Sequence, residues 1–215
     1  MEFYPKNKIP VKRVKRFIVI FYCVGVLGFI VPFTKSIFIA ITPFALLLNT
    51  YLLAIYHKKY TIKAVLVFLS IFSLGYTIEV IGVKTGLVFG SYSYDKALGF
   101  KLFETPLMIG VNWLFLTYAA TTITDNLKWN RWLSLFVAPA LMLVYDFVLE
   151  MVAPKMDMWT WQNSDVPVRN YIAWYLIALF FVLLIRIFKI DTKNPLSATI
   201  FICQFMFFIL LTLLL

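Results

Sequence analysis

Seven segments of about 20 predominantly apolar residues follow one another along this chain, and they constrain its fold more than any other feature. A helix of that length crosses the hydrocarbon core of a bilayer. The expected transmembrane helices span residues 17–33, 36–56, 62–83, 105–124, 131–151, 170–188 and 196–215. The sequence therefore predicts an all-α fold, a polytopic transmembrane bundle of about seven helices, with residues 1–215 forming one integral membrane domain.

Composition and charge favour the same interpretation. Hydrophobic residues make up 62% of the chain and charged residues only 14%, too few to cover a soluble domain of this size. The net charge of +10 would suit nucleic acid, but 14 of the 20 Lys and Arg residues fall before the first predicted helix, in the loops after the second, fourth and sixth, or at the helix ends that border those loops. Such asymmetry is typical of cytoplasmic loops. We therefore predict a cytoplasmic N-terminus with a basic arm over residues 1–16, contact with anionic lipid headgroups, and no nucleic-acid partner.

The single histidine, His57, lies at a predicted membrane edge beside Lys58 and Lys59. One histidine cannot build a histidine-rich metal or haem site, so the sequence predicts a solvated interfacial role for it and no metal. The chain also has no glycine-rich phosphate loop and no Ser or Cys nucleophile with a histidine base. We therefore expect no cofactor.

Two long loops are predicted on the outer side, over residues 83–104 and 153–170, and both are rich in Gly, Tyr and Trp. Loops of this length and composition often carry function, although Trp and Tyr at headgroup depth also serve as membrane anchors. Glu104 precedes Thr105 and Pro106, which we interpret as the start of the fourth helix. A carboxylate there complements the positive end of the helix dipole.

Three further carboxylates lie inside predicted helices near the outer side: Glu79 in the third, and Asp146 and Glu150 in the fifth. Positions four residues apart lie about 40° apart around a helix, so Asp146 and Glu150 face the same way. A carboxylate facing lipid costs a few kcal/mol, so such residues face the bundle interior and mark functional sites. The alternative is an ion pair with a loop cation, for which the chain offers Lys84, Lys155 and Arg169.

Acids that lie close together in a low dielectric without counter-ions repel each other, so at least one is expected to hold its proton near neutral pH. A protonated carboxylic acid in an apolar pocket is a general acid. Its substrate is expected to be apolar, because it would arrive through lipid, and to need only a proton. Protonation of an alkene meets both conditions.

Three segments, EVIGVKTGLVFGSYSY, YDFVLEMVAPKMDMWTW and VPVRNYIAW, resemble the CruF-type membrane carotenoid 1,2-hydratases. That family includes bisanhydrobacterioruberin hydratase and hydratases of γ-carotene or lycopene ends. The segments lie within residues 75–175, and the hydrophobic layout agrees over the whole length. The family often has proline after the second acid, where this chain has Met151. The resemblance implies a multi-pass protein of a bacterial or archaeal cytoplasmic membrane, with a lipid-soluble carotenoid and water as partners, and association with other carotenoid enzymes.

The resemblance also implies addition of water across the terminal 1,2 double bond of an acyclic carotenoid end. An acid protonates the alkene to a tertiary carbocation, ring faces stabilise the cation, and a second group orients the water and takes its proton. Asp146 and Glu150 are the candidate acid and base, in either order, with Glu79 as a third acid or proton reservoir. Asn112 and Asn170 are candidates to hold the water. The candidate ring faces are Tyr92, Tyr94, Tyr145, Trp113, Trp159, Trp161 and Trp174.

Three other functions are open. A carotene cyclase begins with the same protonation and then closes a ring; Asn112 and the acid pair, which can hold water, favour hydration. A retinal receptor needs a lysine in its last helix, and residues 196–215 contain none, whereas a proton-coupled transporter typically shows paired repeats that are not visible here. A non-catalytic carotenoid binder would not need its acids.

Overall fold

The computed structural model describes residues 9–127 and 129–215, which form seven α-helices and two small pieces of sheet. The helices are α1 (Val11–Ile30), α2 (Pro32–Ile55), α3 (Ile62–Thr85), α4 (Met108–Asn126), α5 (Arg131–Val152), α6 (Val168–Ile187) and α7 (Ser197–Leu214). Five of them, α2, α3, α5, α6 and α7, are long and apolar enough to cross a membrane. The predicted all-α membrane helical bundle is therefore confirmed.

The first helix begins earlier than predicted. It starts at Val11 and includes Lys12, Arg13, Lys15 and Arg16, so the part of the predicted basic arm over residues 11–16 is helical. Lys and Arg are good helix formers, which is why a change from polar to apolar sequence did not mark the helix start. Residues 1–8 of the predicted arm lie outside the described residues.

Helix α4 lies at the centre of the bundle and packs against α2, α3, α5, α6 and α7. It carries several buried polar residues, and the hydroxyls of Thr121, Thr122 and Thr124 each bond a carbonyl one turn earlier. Close packing is possible because a Cβ on Gly110 would lie 2.8 Å from the carbonyl oxygen of Phe72 on α3. Since the neighbouring helices shield α4 from lipid, it can be less apolar than the five helices that are long and apolar enough to cross a membrane.

Four short strands lie in the two long loops: β1 (Tyr92–Tyr94), β2 (Lys101–Leu102), β3 (Thr105–Pro106) and β4 (Trp159–Trp161). Strand β1 pairs antiparallel with β4, opposing Tyr92 to Trp161 and Tyr94 to Trp159. Strands β2 and β3 form a hairpin. The β1–β4 pairing joins the two long loops at one end of the bundle, which sequence patterning did not predict.

The interpretation of Glu104 as a residue at the start of a helix is wrong. Helix α4 begins at Met108, whereas Thr105 and Pro106 form β3. Glu104 lies in the β2–β3 turn with a φ of 66°, next to Phe103 with a φ of 53°. Proline lacks an N–H donor, and the first turn of a helix and an edge strand both tolerate that, so the sequence does not distinguish the two.

The predicted solvated role of His57 is also wrong. Its side chain is only 4% exposed, and it lies at the end of α3 opposite to β1. Its Nδ1 lies 2.9 Å from the hydroxyl of Tyr118, and its Nε2 lies 3.0 Å from the carbonyl oxygen of Lys59. Asn194 donates to the same tyrosine oxygen at 3.3 Å. We call His57, Tyr118 and Asn194 the His57 cluster; burial lowers the pKa of His57 from its ordinary value.

Candidate active site

An aromatic sheet covers the ends of α3 and α5. Alternate residues of a strand point to the same face, so Tyr92 and Tyr94 of β1 and Trp159 and Trp161 of β4 are buried, while the residues between them are exposed. The ring centroids of Tyr92 and Trp161 lie 5.0 Å apart, and those of Tyr94 and Trp159 lie 6.1 Å apart. Gly90 allows this packing, since it has a φ of 129° and a Cβ there would lie 2.9 Å from Trp161. The sheet thus points two tyrosine hydroxyls and two indole N–H groups at the helices.

Glu79 of α3 is 3% exposed and accepts hydrogen bonds from three uncharged donors. Its Oε2 accepts from the hydroxyls of Tyr92 at 2.6 Å and Tyr94 at 2.8 Å, and its Oε1 accepts from the indole N–H of Trp113 at 3.0 Å. Burial and the neighbouring Glu79 carboxylate raise the pKa of Tyr92 and of Tyr94 well above the usual value, so both phenols remain donors. Both oxygens of Glu79 are therefore occupied by N–H or O–H groups.

The indole of Trp113 is fixed on two sides. It stacks on Trp174 with ring centroids 4.0 Å apart, and it fits against Gly75 of α3, where a Cβ would lie 2.8 Å from it. Gly75 lies one helical turn before Glu79, on the same face of α3. That face therefore carries both the carboxylate and the glycine that leaves room for the indole of Trp113.

Glu150 of α5 is 7% exposed, and its two carboxylate oxygens differ in their hydrogen bonds. Its Oε2 accepts from the indole N–H groups of Trp159 at 2.9 Å and Trp161 at 2.8 Å. Its Oε1 has only a long contact of 3.4 Å with the amide of Asn170 on α6. One oxygen of Glu150 is thus firmly bonded, while the other keeps capacity for a further partner.

Asp146 lies one turn before Glu150 and shares its face of α5, as the spacing predicts. It is 0% exposed, and its Oδ2 accepts from the amide of Asn170 at 3.3 Å. Its Oδ1 has no hydrogen-bond partner in the described chain. Asn170 therefore connects two carboxylates of α5, and Asp146 is the most desolvated of the three.

The ion-pair alternative for these acids is wrong within the described residues. No lysine or arginine there forms an ion pair with Glu79, Asp146 or Glu150. Lys84 lies over the ring of Phe103 at 4.8 Å, and both Lys155 and Arg169 are exposed. Among the described residues, the hydrogen-bond donors to the three acids are all neutral.

A cavity of about 20 Å³ lies between Glu79 and Glu150, enough for about one water molecule. We call it the acid cavity. The predicted site residues that line it are Glu79, Tyr92, Tyr94, Asn112, Glu150, Trp159, Trp161, Asn170 and Trp174. Phe89 and Ile109 also line it and were missed, because an apolar residue in an apolar segment carries no separate sequence signal.

Three predicted site residues do not line the acid cavity. Trp113 and Asp146 lie behind it and contact it through Glu79 and Asn170, respectively. Tyr145 points to α7 instead, where its ring lies 5.4 Å from that of Phe201. Successive helical residues diverge by about 100°, so the turn of α5 that directs Asp146 at α6 directs Tyr145 elsewhere.

Comparison with known proteins gives one match, to a family model described as carotenoid biosynthesis protein, over residues 37–215. The chain belongs to the carotenoid biosynthesis protein family. The matched range of this carotenoid biosynthesis protein contains most of α2, all of α3 to α7, both long loops and all three buried carboxylates. Searches of curated proteins and of solved structures gave no match. The protein is an integral membrane protein with a role in carotenoid biosynthesis.

Proposed function

We propose that this carotenoid biosynthesis protein is a hydratase, a cofactor-independent hydro-lyase that adds water across the terminal 1,2 double bond of an acyclic carotenoid end. The observation that carries the proposal is the acid cavity, a water-sized space between two buried carboxylates that only neutral donors contact. Hydration needs a proton, a water and a proton acceptor in one apolar site, and it needs no cofactor. Two buried carboxylates that border one water-sized space support the proposal.

Glu79 is the proposed base and the counter-charge to the carbocation. Three neutral donors hydrogen-bond to the two oxygens of Glu79, and such bonds favour the ionised form of a carboxylate. Oε1 accepts only one of them, so it can still take up a proton. A fixed negative charge beside the cavity stabilises a cation that develops there more effectively than water would.

Glu150 is the proposed acid. It lines the cavity, and its Oε1 has room for a proton because its contact with Asn170 is long. Asp146 lies behind that amide with an unpaired oxygen in a dry site, where the neutral form of a carboxyl group costs far less than the charged one. Asp146 is therefore the proton reserve. This assignment places the acid and the base on different helices, whereas the sequence placed both on α5.

The reaction proceeds in two steps. The Glu150 proton bonds to the less substituted alkene carbon through the π electrons, which leaves a tertiary carbocation at the other carbon. Water held by Asn112 then bonds to that carbon and gives a proton to Glu79, and transfer of this proton back to Glu150 restores the site. The rings of Trp161 and Trp174 line the cavity and stabilise the cation by about 2 kcal/mol when desolvated.

The orientation in the membrane follows from charge. With the N-terminus inside, the acid cavity lies near the outer face of a bacterial or archaeal cytoplasmic membrane, where one end of a long polyene and a water molecule can meet. Association with other carotenoid enzymes stays a prediction.

The test is co-expression in a host that makes lycopene or γ-carotene, followed by mass spectrometry of the pigments. We expect a product heavier by one water, and its absence with Glu150→Gln or Glu79→Gln. Glu104→Gln is the matched control, since Glu104 is exposed in the β2–β3 turn. A ringed product of unchanged mass would establish the cyclase instead, and unchanged pigment from every acyclic carotene would contradict hydration. Pigment that binds unchanged even without the acids would indicate a non-catalytic binder.

A further inference from the structure

A second and larger cavity lies between α1, α2 and α7, away from the carboxylates. Its volume is about 200 Å³, and nearly all of its lining is aliphatic or aromatic. Val24 of α1 and Ile41 of α2 form part of its wall and are also exposed on the outside of the bundle. The cavity therefore borders the surface that a bilayer would cover.

The polar groups in this cavity are already paired. Asn49 donates to the hydroxyl of Tyr22 and, at 3.2 Å, to the side-chain oxygen of Gln204. These three residues join α1, α2 and α7 at one point. Thr42 also lines the cavity and donates to the carbonyl of Phe38 at 2.9 Å, and the rest of the lining is apolar. A ligand of this cavity is thus recognised by an extended apolar surface rather than by charge.

A small space, which we call the neck, shares lining residues with both the large cavity and the acid cavity. The neck is a space of about 20 Å³ that shares Leu46, Met158 and Gln204 with the large cavity. It shares Asn112 and Trp159 with the acid cavity. Three spaces with common walls therefore run in a row from the α1–α2 surface to Glu150.

We propose that the large cavity binds the polyene chain of the substrate, which enters from the bilayer between α1 and α2 and extends its terminal double bond through the neck to Glu150. The inference rests on the proposed function for what happens at the inner end, but it assigns the binding site and the route. Methionine side chains are unbranched and adapt to irregular partners, so Met158 in the neck can move aside for an isoprenoid end.

The experiment measures lycopene retained per protein, by absorbance, after purification into nanodiscs from a lycopene-producing host. Glu150→Gln protein is the starting point, because under the proposed function we expect it to bind pigment without turnover. In that background Ala45→Phe places a ring in the large cavity from α2. We expect retained lycopene to fall about tenfold, the factor expected when a ligand must displace an overpacked side chain. Ala45→Leu should give a smaller loss.

The matched control is Leu47→Phe, which adds the same ring two residues away on the exposed side of α2 and should leave retention unchanged. Thr42→Leu fills the same cavity from another turn of α2 and gives the test should Ala45→Phe not fold. Full retention in a folded cavity-filled variant would overturn the proposed site. Pigment that binds in the cavity but is never hydrated by the wild-type protein would count against the proposed function alone.

Discussion

Two buried polar clusters lie at opposite ends of α3, and they are built differently. In the His57 cluster each donor meets an acceptor: Nε2 of His57 donates to a backbone carbonyl, Tyr118 donates to Nδ1, and Asn194 donates to the carbonyl of Leu53. At the acid cavity, Asp146 keeps an unpaired oxygen, Glu150 has one loosely held oxygen, and a water-sized space adjoins them. A cavity of about 50 Å³ adjoins the His57 cluster as well, so the difference lies in the spare hydrogen-bonding capacity of the carboxylates. A satisfied cluster stabilises a fold, whereas carboxylates with spare capacity beside a cavity have room for chemistry.

Removal of the proposed acid is expected to have the largest effect. Glu150→Gln keeps the shape and the acceptor for the two indoles but removes the proton donor, so product formation should fall by about 10²–10⁴-fold. Tyr118→Phe in the His57 cluster should leave product formation unchanged and lower only the melting temperature. Both variants are measured in vesicles by product mass spectrometry and in detergent by thermal unfolding. Equal losses of activity in the two would remove the functional distinction between the clusters.

Removal of the proposed base comes next. Glu79→Gln removes the negative charge beside the cation, and its amide N–H group would face the donors that now contact the carboxylate. We expect product formation to fall by about 10²-fold, the usual effect of losing one preorganised electrostatic contact. Glu79→Asp keeps the negative charge but places it farther from the cavity, because the side chain is shorter, and it should recover part of the activity. An active Glu79→Gln protein would exclude Glu79 as the base.

Displacement of a donor should have a smaller effect. Gly75→Ala would push a methyl group against Trp113 and shift the indole away from Glu79. Overpacking of this kind costs about 1–3 kcal/mol of unfolding free energy, and we expect product formation to fall about tenfold. Ser73→Ala on an exposed position of the same helix is the control. Normal activity in Gly75→Ala would show that the indole contact is dispensable.

The smallest effect concerns pH and the opposite end of the molecule. Burial lowers the pKa of His57, so this side chain is a neutral imidazole in the folded protein. In the unfolded chain, the same side chain takes up a proton near pH 6.5. Stability from this group is therefore complete above about pH 6.5 and is lost as the pH falls towards the folded pKa, by up to about 1.4 kcal/mol per pH unit. His57→Gln should flatten that dependence in melting curves. An unchanged dependence would mean that other groups cause it.

The helices could be predicted because an apolar run long enough to span a bilayer has few alternatives. The β1–β4 sheet could not be predicted with equal ease, although YSY and WTW alternate as strands do. Each strand has three residues, and its partner lies in the other long loop, so no local signal specifies the pairing. Such short pieces are stabilised by contacts with the helices below them.

The content of the site was predictable in part. Spacing on one helix placed Asp146 and Glu150 on a common face, and the apolar surroundings marked Glu79 as unusual. That Glu79 and Glu150 would border one cavity depends on how α3 and α5 pack, which a single-helix pattern does not contain. His57 was misjudged for a related reason, since neighbouring lysines indicated solvent while its partners came from α4 and the α6–α7 loop.

Proton transfer from a buried carboxyl group to an alkene can be observed directly by running the reaction in D₂O. The wild-type protein in lipid vesicles is supplied with lycopene, and the product is examined by mass spectrometry and NMR. We expect one deuterium, bound to carbon and not exchangeable, next to the new tertiary alcohol, and no such product from Glu150→Gln. An alcohol that carries no carbon-bound deuterium at that position would contradict protonation of the alkene.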